Sequence, residues 1–234
     1  MKKNIAIVGC GIVGLLISYK FLKLGHKVTI FEKEDHMGLT NCSTTAAGML
    51  SPYCELIHSD KKIFDLGSDS IHRWKKIINE LEMKVYFKTK GSLIVASKEH
   101  VAELDSICSR INKYTNANIR IIKSKKISAL EPDIDSDDLI GLLFKEEGQI
   151  DCKQIINILI NFLLTNSCSI NFKAEVKNIQ NNSVILDNNK KIKFDHVIEC
   201  AGLHSLNNKR IRAVRGEIIA VSYTHLTLPT KRIV

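Results

Sequence analysis

The sequence predicts an α/β fold built on a β-α-β unit, and three observations predict it. A short apolar run bounded by glycine, NIAIVG (Asn4–Gly9), reads as a buried parallel strand. A glycine motif with Gly9, Gly11 and Gly14 follows, and the stretch it opens, IVGLLISYKFLKLG, has apolar residues at helical spacing. A β-branched run, Val28–Phe31, then ends on an acidic residue, Glu32.

Each element has a physical task. Gly9 permits the tight turn out of the strand, Gly11 lets a pyrophosphate approach the backbone, and Gly14 lets the helix pack closely on the sheet. The first helical residues, Ile12 and Val13, offer unpaired N–H groups and the positive end of the helix dipole. Gly25 stands where a helix C′ residue is expected. Glu32, with Lys33 beside it, closes the second strand where a carboxylate accepts hydrogen bonds from ribose hydroxyls. A glycine motif alone is weak, but one that follows a strand, opens a helix and carries its acidic partner predicts a dinucleotide site.

Composition narrows the rest. The 234 residues, 44% hydrophobic and 25% charged, are ordinary globular material with room for two domains. The longest apolar runs, such as Ile155–Ile160, are too short to cross a bilayer. The N-terminus carries two lysines before an apolar run, as a signal peptide does, but the glycine spacing explains it better and no small-residue cleavage site follows. The seven cysteines show no C-x-x-C and no Cys/His spacing, which argues against a disulfide framework and a zinc site and for reduced thiols in a cytoplasmic protein. The net charge of +9 raises nucleic-acid binding. The basic clusters, Lys123–Lys126 and Asn207–Arg212, are not interleaved with aromatics, so solvated surface lysines are the expectation and nucleic acid is not an expected partner.

Further along, NCSTTAAGMLSPYCE (Asn41–Glu55) offers N-cap residues at Ser43, Thr44 and Thr45, and small residues at Ala46, Ala47 and Gly48 that let backbone approach a ligand. In SIHRWKKIINELEMK, Ile71, Trp74, Ile77, Ile78 and Leu81 share one helical face, so Trp74 is expected in the core. KQIINILINFLL (Lys153–Leu164) reads as a largely apolar, buried helix. From Ser169 to Asp187, short β-rich runs (SINF, EVKNI, SVILD) alternate with Asn-Asn and Asp-Asn turns, predicting a meander.

Gly9–Glu32 followed by STTAAGML (Ser43–Leu50) resembles the D-amino-acid-oxidase-like family of FAD-dependent amine oxidoreductases, and within it the glycine oxidase branch associated with thiamine biosynthesis. KGSLIVASKEH, LEPDI, EEGQIDCKQII and VIECAGLHS resemble later parts of the same pattern. The resemblance implies an FAD-type Rossmann domain (a βαβ unit with a β-meander) at 1–82 and 149–208. A substrate domain of α+β type with an antiparallel sheet is inserted, at 83–148 and 209–221. It implies FAD as cofactor, held by Gly9, Gly11, Ile12, Val13, Gly14, Glu32, Lys33, Ser43, Thr44, Thr45, Ala46, Ala47, Gly48, Met49, Val176, Ala201 and Gly202. Val176 corresponds to the position whose backbone meets adenine, although a simple strand-core role fits it equally. The implied partner is a small amino acid or amine, oxidised with hydride transfer from Cα to the flavin. A homo-oligomer is a further expectation for the full-length protein.

No catalytic side chain is expected within the chain, because the family's carboxylate-binding arginine belongs beyond residue 221. Arg215 reads as structural, and His58 and His204 as surface or loop residues. The stretch VSYTHLTLPTKRIV (Val221–Val234) resembles the translation of a sequencing-library adapter, so 222–234 is expected to be a non-native tail on a chain lacking its C-terminal part. Two other readings of the same fold are the FAD-dependent part of a tRNA wobble-uridine modification enzyme and a non-catalytic flavin- or nucleotide-binding fragment.

Overall fold

The computed structural model describes residues 1–35, 41–82, 84–115, 119–135, 137–206, 212 and 214. Arg215 and the stretch 222–234 lie outside the described residues. In chain order the elements begin β1 (Asn4–Val8), α1 (Ile12–Lys23), β2 (Lys27–Phe31), α2 (Cys42–Thr45), β3 (Met49–Leu50), α3 (Pro52–Glu55) and α4 (Lys61–Glu80). They continue β4 (Phe87–Lys88), β5 (Ser92–Ser97), α5 (Val101–Asn112), β6 (Arg120–Lys123), α6 (Ser124–Leu130), β7 (Leu139–Phe144) and β8 (Gly148–Ile150). The last are α7 (Cys152–Thr165), β9 (Ser169–Asn171), β10 (Val176–Gln180), β11 (Ser183–Leu186), β12 (Lys191–Lys193) and β13 (His196–Glu199).

These elements form two compact units. The first holds Met1–Gly48, Glu80–Val85 and the described part of Asp151–Ile218. Its parallel sheet has the strand order β13-β1-β2-β9, with Ile7 beside Ile198 on one flank and Ile30 on the other. SINF therefore extends the parallel sheet as β9. The antiparallel meander, β10-β11-β12, starts only at Val176. Its first turn uses Asn181 and Asn182, both at positive φ (48° and 57°), the conformation asparagine tolerates in a two-residue hairpin.

Helix α1 ends as its sequence suggests. Gly25 takes φ 82°, its N–H donates to the Leu22 carbonyl at 2.9 Å, and the His26 N–H donates to Phe21 at 3.0 Å, a paired closure of the last turn. Tyr19 of α1 is buried, its ring 5.1 Å from that of Phe162 in α7, and its hydroxyl donates to Glu80. Lys23 pairs with the same carboxylate at 2.7 Å. Helix α7 buries residues on more than one side (Ile155, Ile156, Ile158, Leu159, Ile160, Leu163), as its near-continuous apolar run requires. The meander packs through Val176, Val184 and Leu186 against Ala6, Val8 and Phe31 of the parallel sheet.

The second unit holds, among its described residues, Met49–Asn79 and Tyr86–Ile150. Its main sheet, β5-β7-β6, is antiparallel throughout. One face packs against α5 (Leu104, Ile111) and the other against Ile127 of α6. A smaller sheet, β3-β8-β4, pairs Met49 with Gln149 and Leu50 with Gly148. Trp74 is buried together with Ile71 and Ile77, as the helical spacing predicts.

Candidate dinucleotide site

A cavity of about 430 Å3 opens at the C-terminal ends of β1, β2 and β13, within the first unit. Strand order reverses at β1, because β2 lies on one side of it and β13 on the other. In open α/β sheets this is where the ends of the strands leave a crevice.

The floor is backbone brought unusually close. Gly9 takes φ 105°, and a Cβ there would stand 2.5 Å from the Cys200 carbonyl oxygen and 3.2 Å from the Ala201 Cα. Only glycine fits such a turn. A Cβ on Gly14 would collide with the Gly9 carbonyl oxygen and reach 3.3 Å from Ile7 Cγ2, so this glycine sets how close α1 lies to β1. Above the floor, α1 begins at Gly11 with no side-chain cap and no acidic residue in its first turn. One of its donors is met from elsewhere: the Ile12 N–H donates to Ser43 Oγ at 3.0 Å. The remaining positive end faces the cavity, an arrangement suited to an anion such as a diphosphate.

Glu32 stands at the end of β2 and is only 9% exposed. Its Oε2 accepts the Cys10 N–H at 2.8 Å and its Oε1 accepts the Glu34 N–H at 3.1 Å. These bonds fix the carboxylate, and each oxygen keeps a lone pair free. The backbone beyond β2 is tied to the entry of the meander, Ala174 N–H to Glu32 carbonyl and Lys173 N–H to Glu34 carbonyl, both 2.9 Å. Glu175 and Val176 thereby join the cavity wall.

Two wall thiols are chemically quiet. Burial, then the nearby charge of Glu32, pushes the Cys10 thiol up to about 12, and burial raises Cys200 as well. Lys177, hydrogen-bonded at 2.8 Å, lowers Glu175 below its ordinary value. Among the described residues no cluster of His, Cys, Asp and Glu could hold a metal ion. No described helix is long and apolar enough to cross a membrane.

Of the residues singled out in the sequence, Gly9, Gly11, Ile12, Val13, Glu32, Lys33, Ser43, Val176, Ala201 and Gly202 line this cavity. Gly14 lies beneath its floor. Thr44, Thr45, Ala46, Ala47, Gly48 and Met49 are not among the lining residues. The N-cap of α2 is Asn41, whose Oδ1 accepts the Thr44 N–H at 3.0 Å, so Ser43, Thr44 and Thr45 lie inside the helix they were expected to cap. Asn41 also lines the cavity, as do Cys42, Glu34 and His204. All four sit within two residues of predicted positions. His204, read from the sequence as a surface or loop residue, ends the one-turn helix Gly202–His204 and lines the cavity there.

A parallel sheet whose strand order reverses at β1, a helix start without a side-chain cap over a glycine floor, and a strand-end carboxylate define a dinucleotide-binding α/β protein. The family profile is more specific. The profile of the FAD dependent oxidoreductase (DAO) family matches residues 4–233, and the chain belongs to that family. The match runs past residue 221, where the sequence resemblance was expected to stop. A protein of Rhizobium etli named as a thiamine biosynthesis oxidoreductase, ThiO, is 25% identical over 96% of this chain. A tRNA 5-methylaminomethyl-2-thiouridine biosynthesis bifunctional protein, MnmC, of Legionella pneumophila (strain Corby) is 25% identical over 95% of it. Among solved structures, glycine oxidase from Geobacillus kaustophilus superposes with a TM-score of 0.75 at 20% identity, over 86% of this chain and 55% of that one. The chain spans 62% of the length of the ThiO relative and 33% of the MnmC relative.

FAD is the cofactor of this family. The residues present fit its ADP portion on structural grounds, because the Gly9 turn and the close packing at Gly14 bring a helix start with no side-chain cap and no acidic residue to the cavity, with the Glu32 carboxylate fixed beside it.

Proposed function

We propose that this protein acts in the FAD-dependent oxidative deamination of a small amino acid or amine, in the manner of glycine oxidase. The observation that carries the proposal is the uncapped start of α1 over the Gly9 turn, with the Glu32 carboxylate fixed at the end of β2. In this reading Gly11 and Val13 present N–H groups to the diphosphate, Ile12 is held at the same helix start by its bond to Ser43, Gly9 makes the turn beneath them with its own N–H on the Phe31 carbonyl, and Gly14 holds the helix close. Glu32 accepts the ribose hydroxyls, with Lys33 at the same rim, and Val176 meets adenine. Ala201 and Gly202 close the floor beside Gly9. Ser43, Thr44, Thr45, Ala46, Ala47, Gly48 and Met49 serve the flavin side.

Held by these residues, FAD would supply a hydride acceptor for the substrate Cα, with oxygen as the onward acceptor in this reading. The chain's own residues orient and enclose the cofactor, and no described side chain is assigned a proton-transfer role. A cytoplasmic setting suits the reduced thiols. The test is to load the full-length protein with FAD and measure peroxide formation with glycine and sarcosine. Flavin-dependent peroxide with either amine supports the reading. FAD uptake without reduction by any small amine contradicts the oxidase assignment.

A second reading is the FAD-dependent part of a tRNA wobble-uridine modification enzyme, favoured by the likeness to the Legionella protein and by the net charge of +9. It predicts tRNA binding that weakens steeply with salt. Absence of tRNA binding at low salt removes it.

A further inference from the structure

His204 stands on the wall of the dinucleotide cavity, within the first unit, and is exposed. Its imidazole makes no hydrogen bond or ion pair among the described residues. Its backbone, by contrast, is fixed. The His204 N–H donates to the Ala201 carbonyl at 3.0 Å, the Ser205 N–H to the Gly202 carbonyl at 3.2 Å, and the Leu206 N–H to the Glu199 carboxylate. Ala201 and Leu206, on either side, pack on the hydrophobic cluster that contains Val176. The turn after β13 therefore carries an uncommitted ring on a backbone anchored against the meander.

The neighbouring charges show which end of the cavity the ring occupies. The Lys177 hydrogen bond, and more weakly the charges of Lys33 and His204, hold the Glu175 carboxyl below its ordinary value. His204 is thus within electrostatic reach of Glu175, at the end walled by Glu175 and Val176. The long charged side chains there pair among themselves, Lys177 with Glu175 at 2.8 Å and Lys33 with Glu34 at 3.7 Å. Of the lining residues, Phe31 and His204 carry rings, and Phe31 is buried edge-on against Phe194 at 5.8 Å. His204 is left as the ring that can meet a ligand. A purine suits it, because a base offers flat π faces on which aromatic side chains, histidine included, stack.

We propose that His204 is a base-stacking residue of the dinucleotide site: its imidazole covers the adenine ring at the end of the cavity walled by Val176. This deepens the proposed function and rests on its placement of adenine beside Val176. The residue acts through its ring rather than its charge, and takes no part in hydride transfer.

The experiment titrates the full-length protein, after removal of FAD, with ADP and with inorganic pyrophosphate. Wild type, His204→Ala and His204→Phe are compared by calorimetry. Because the His204 side chain is exposed and holds no other group in place, both variants are expected to melt with the wild type. The alanine variant should bind ADP about fivefold more weakly, or worse. Its affinity for pyrophosphate, which has no base, should stay within about twofold of the wild type. The phenylalanine variant keeps a π face without a donor or a charge, and should hold ADP within about twofold of the wild type. Equal losses for ADP and pyrophosphate in the alanine variant would mark a charge contact with the diphosphate and overturn the stacking role. So would a phenylalanine variant as weak as the alanine one. A wild type that takes up no ADP refutes the reading of the site, and with it this inference. A wild type that binds ADP beside an alanine variant of equal affinity refutes the inference alone.

Discussion

Replacing Gly14 by alanine sets two opposed effects against each other. In an exposed helix interior the change stabilises by about 1 kcal/mol, because alanine loses less backbone freedom on folding. At this position the new Cβ would overlap the Gly9 carbonyl oxygen and stand 3.3 Å from both the Gly9 carbonyl carbon and Ile7 Cγ2. Two of these three atoms are backbone of the cavity floor, so no side-chain rotation relieves the contact. Helix α1 must withdraw by roughly an ångström to restore ordinary contact distances. Overpacking of this kind costs about 1–3 kcal/mol. The net expectation is destabilisation of about 1–2 kcal/mol, and a weaker hold on ADP because the helix start moves with the helix. Urea denaturation and calorimetric titration with ADP read the two effects separately. A Gly14→Ala protein that is more stable than the wild type, with unchanged ADP affinity, would refute the close-packing argument.

Four further outcomes follow from the geometry. Glu32→Ala orphans the Cys10 and Glu34 N–H groups, so stability should fall by about 1–3 kcal/mol and ADP affinity should fall with it, whereas an unaffected ADP titration would remove Glu32 from the site. Gly25→Ala meets no neighbour within 4 Å but must hold φ 82°, so it should lower the melting temperature through backbone strain alone and leave ADP binding intact. Hydrogen bonds from Lys23 and then Tyr19 hold the Glu80 carboxyl at about 2, below its ordinary 4.5. A depressed folded value gives stability that is present in full above the unfolded value and is lost as pH falls through the folded one. Glu80→Gln should therefore flatten the stability profile between about pH 4.5 and 2, and a wild type and variant with parallel profiles there would contradict the linkage. Thiol alkylation at pH 8 should spare Cys10 and Cys54, both pushed up to about 12, and label exposed Cys42 first; peptide mapping by mass spectrometry reads the order.

The glycine floor and the strand-end acid were legible because their geometry is local. Gly9, Gly11, Gly14 and Glu32 lie on one β-α-β unit, where spacing alone fixes which backbone meets which. The helix closure at Gly25 was legible for the same reason. Of the residues contributed by pairing across the chain, Val176, Ala201 and Gly202 were reached only through the family resemblance, and their neighbours were not reached at all. Cys200 reaches the cavity because β13 pairs with β1, and Glu175 because the meander is tied back to Glu32. SINF was grouped with the meander because strand runs do not announce their partners, and only the register of Ile30 with Ile170 places it in the parallel sheet. Asn41 took the capping role expected of the serine and threonines because it precedes them with a side chain of the right reach.

The central claim is that this chain builds the ADP half of an FAD site on its first β-α-β unit. Titration of the purified protein with FAD, followed by flavin fluorescence and repeated in the presence of ADP, tests it most directly. Saturable uptake of FAD that ADP displaces is the predicted result. FAD uptake indifferent to ADP, or no uptake at all, contradicts the account.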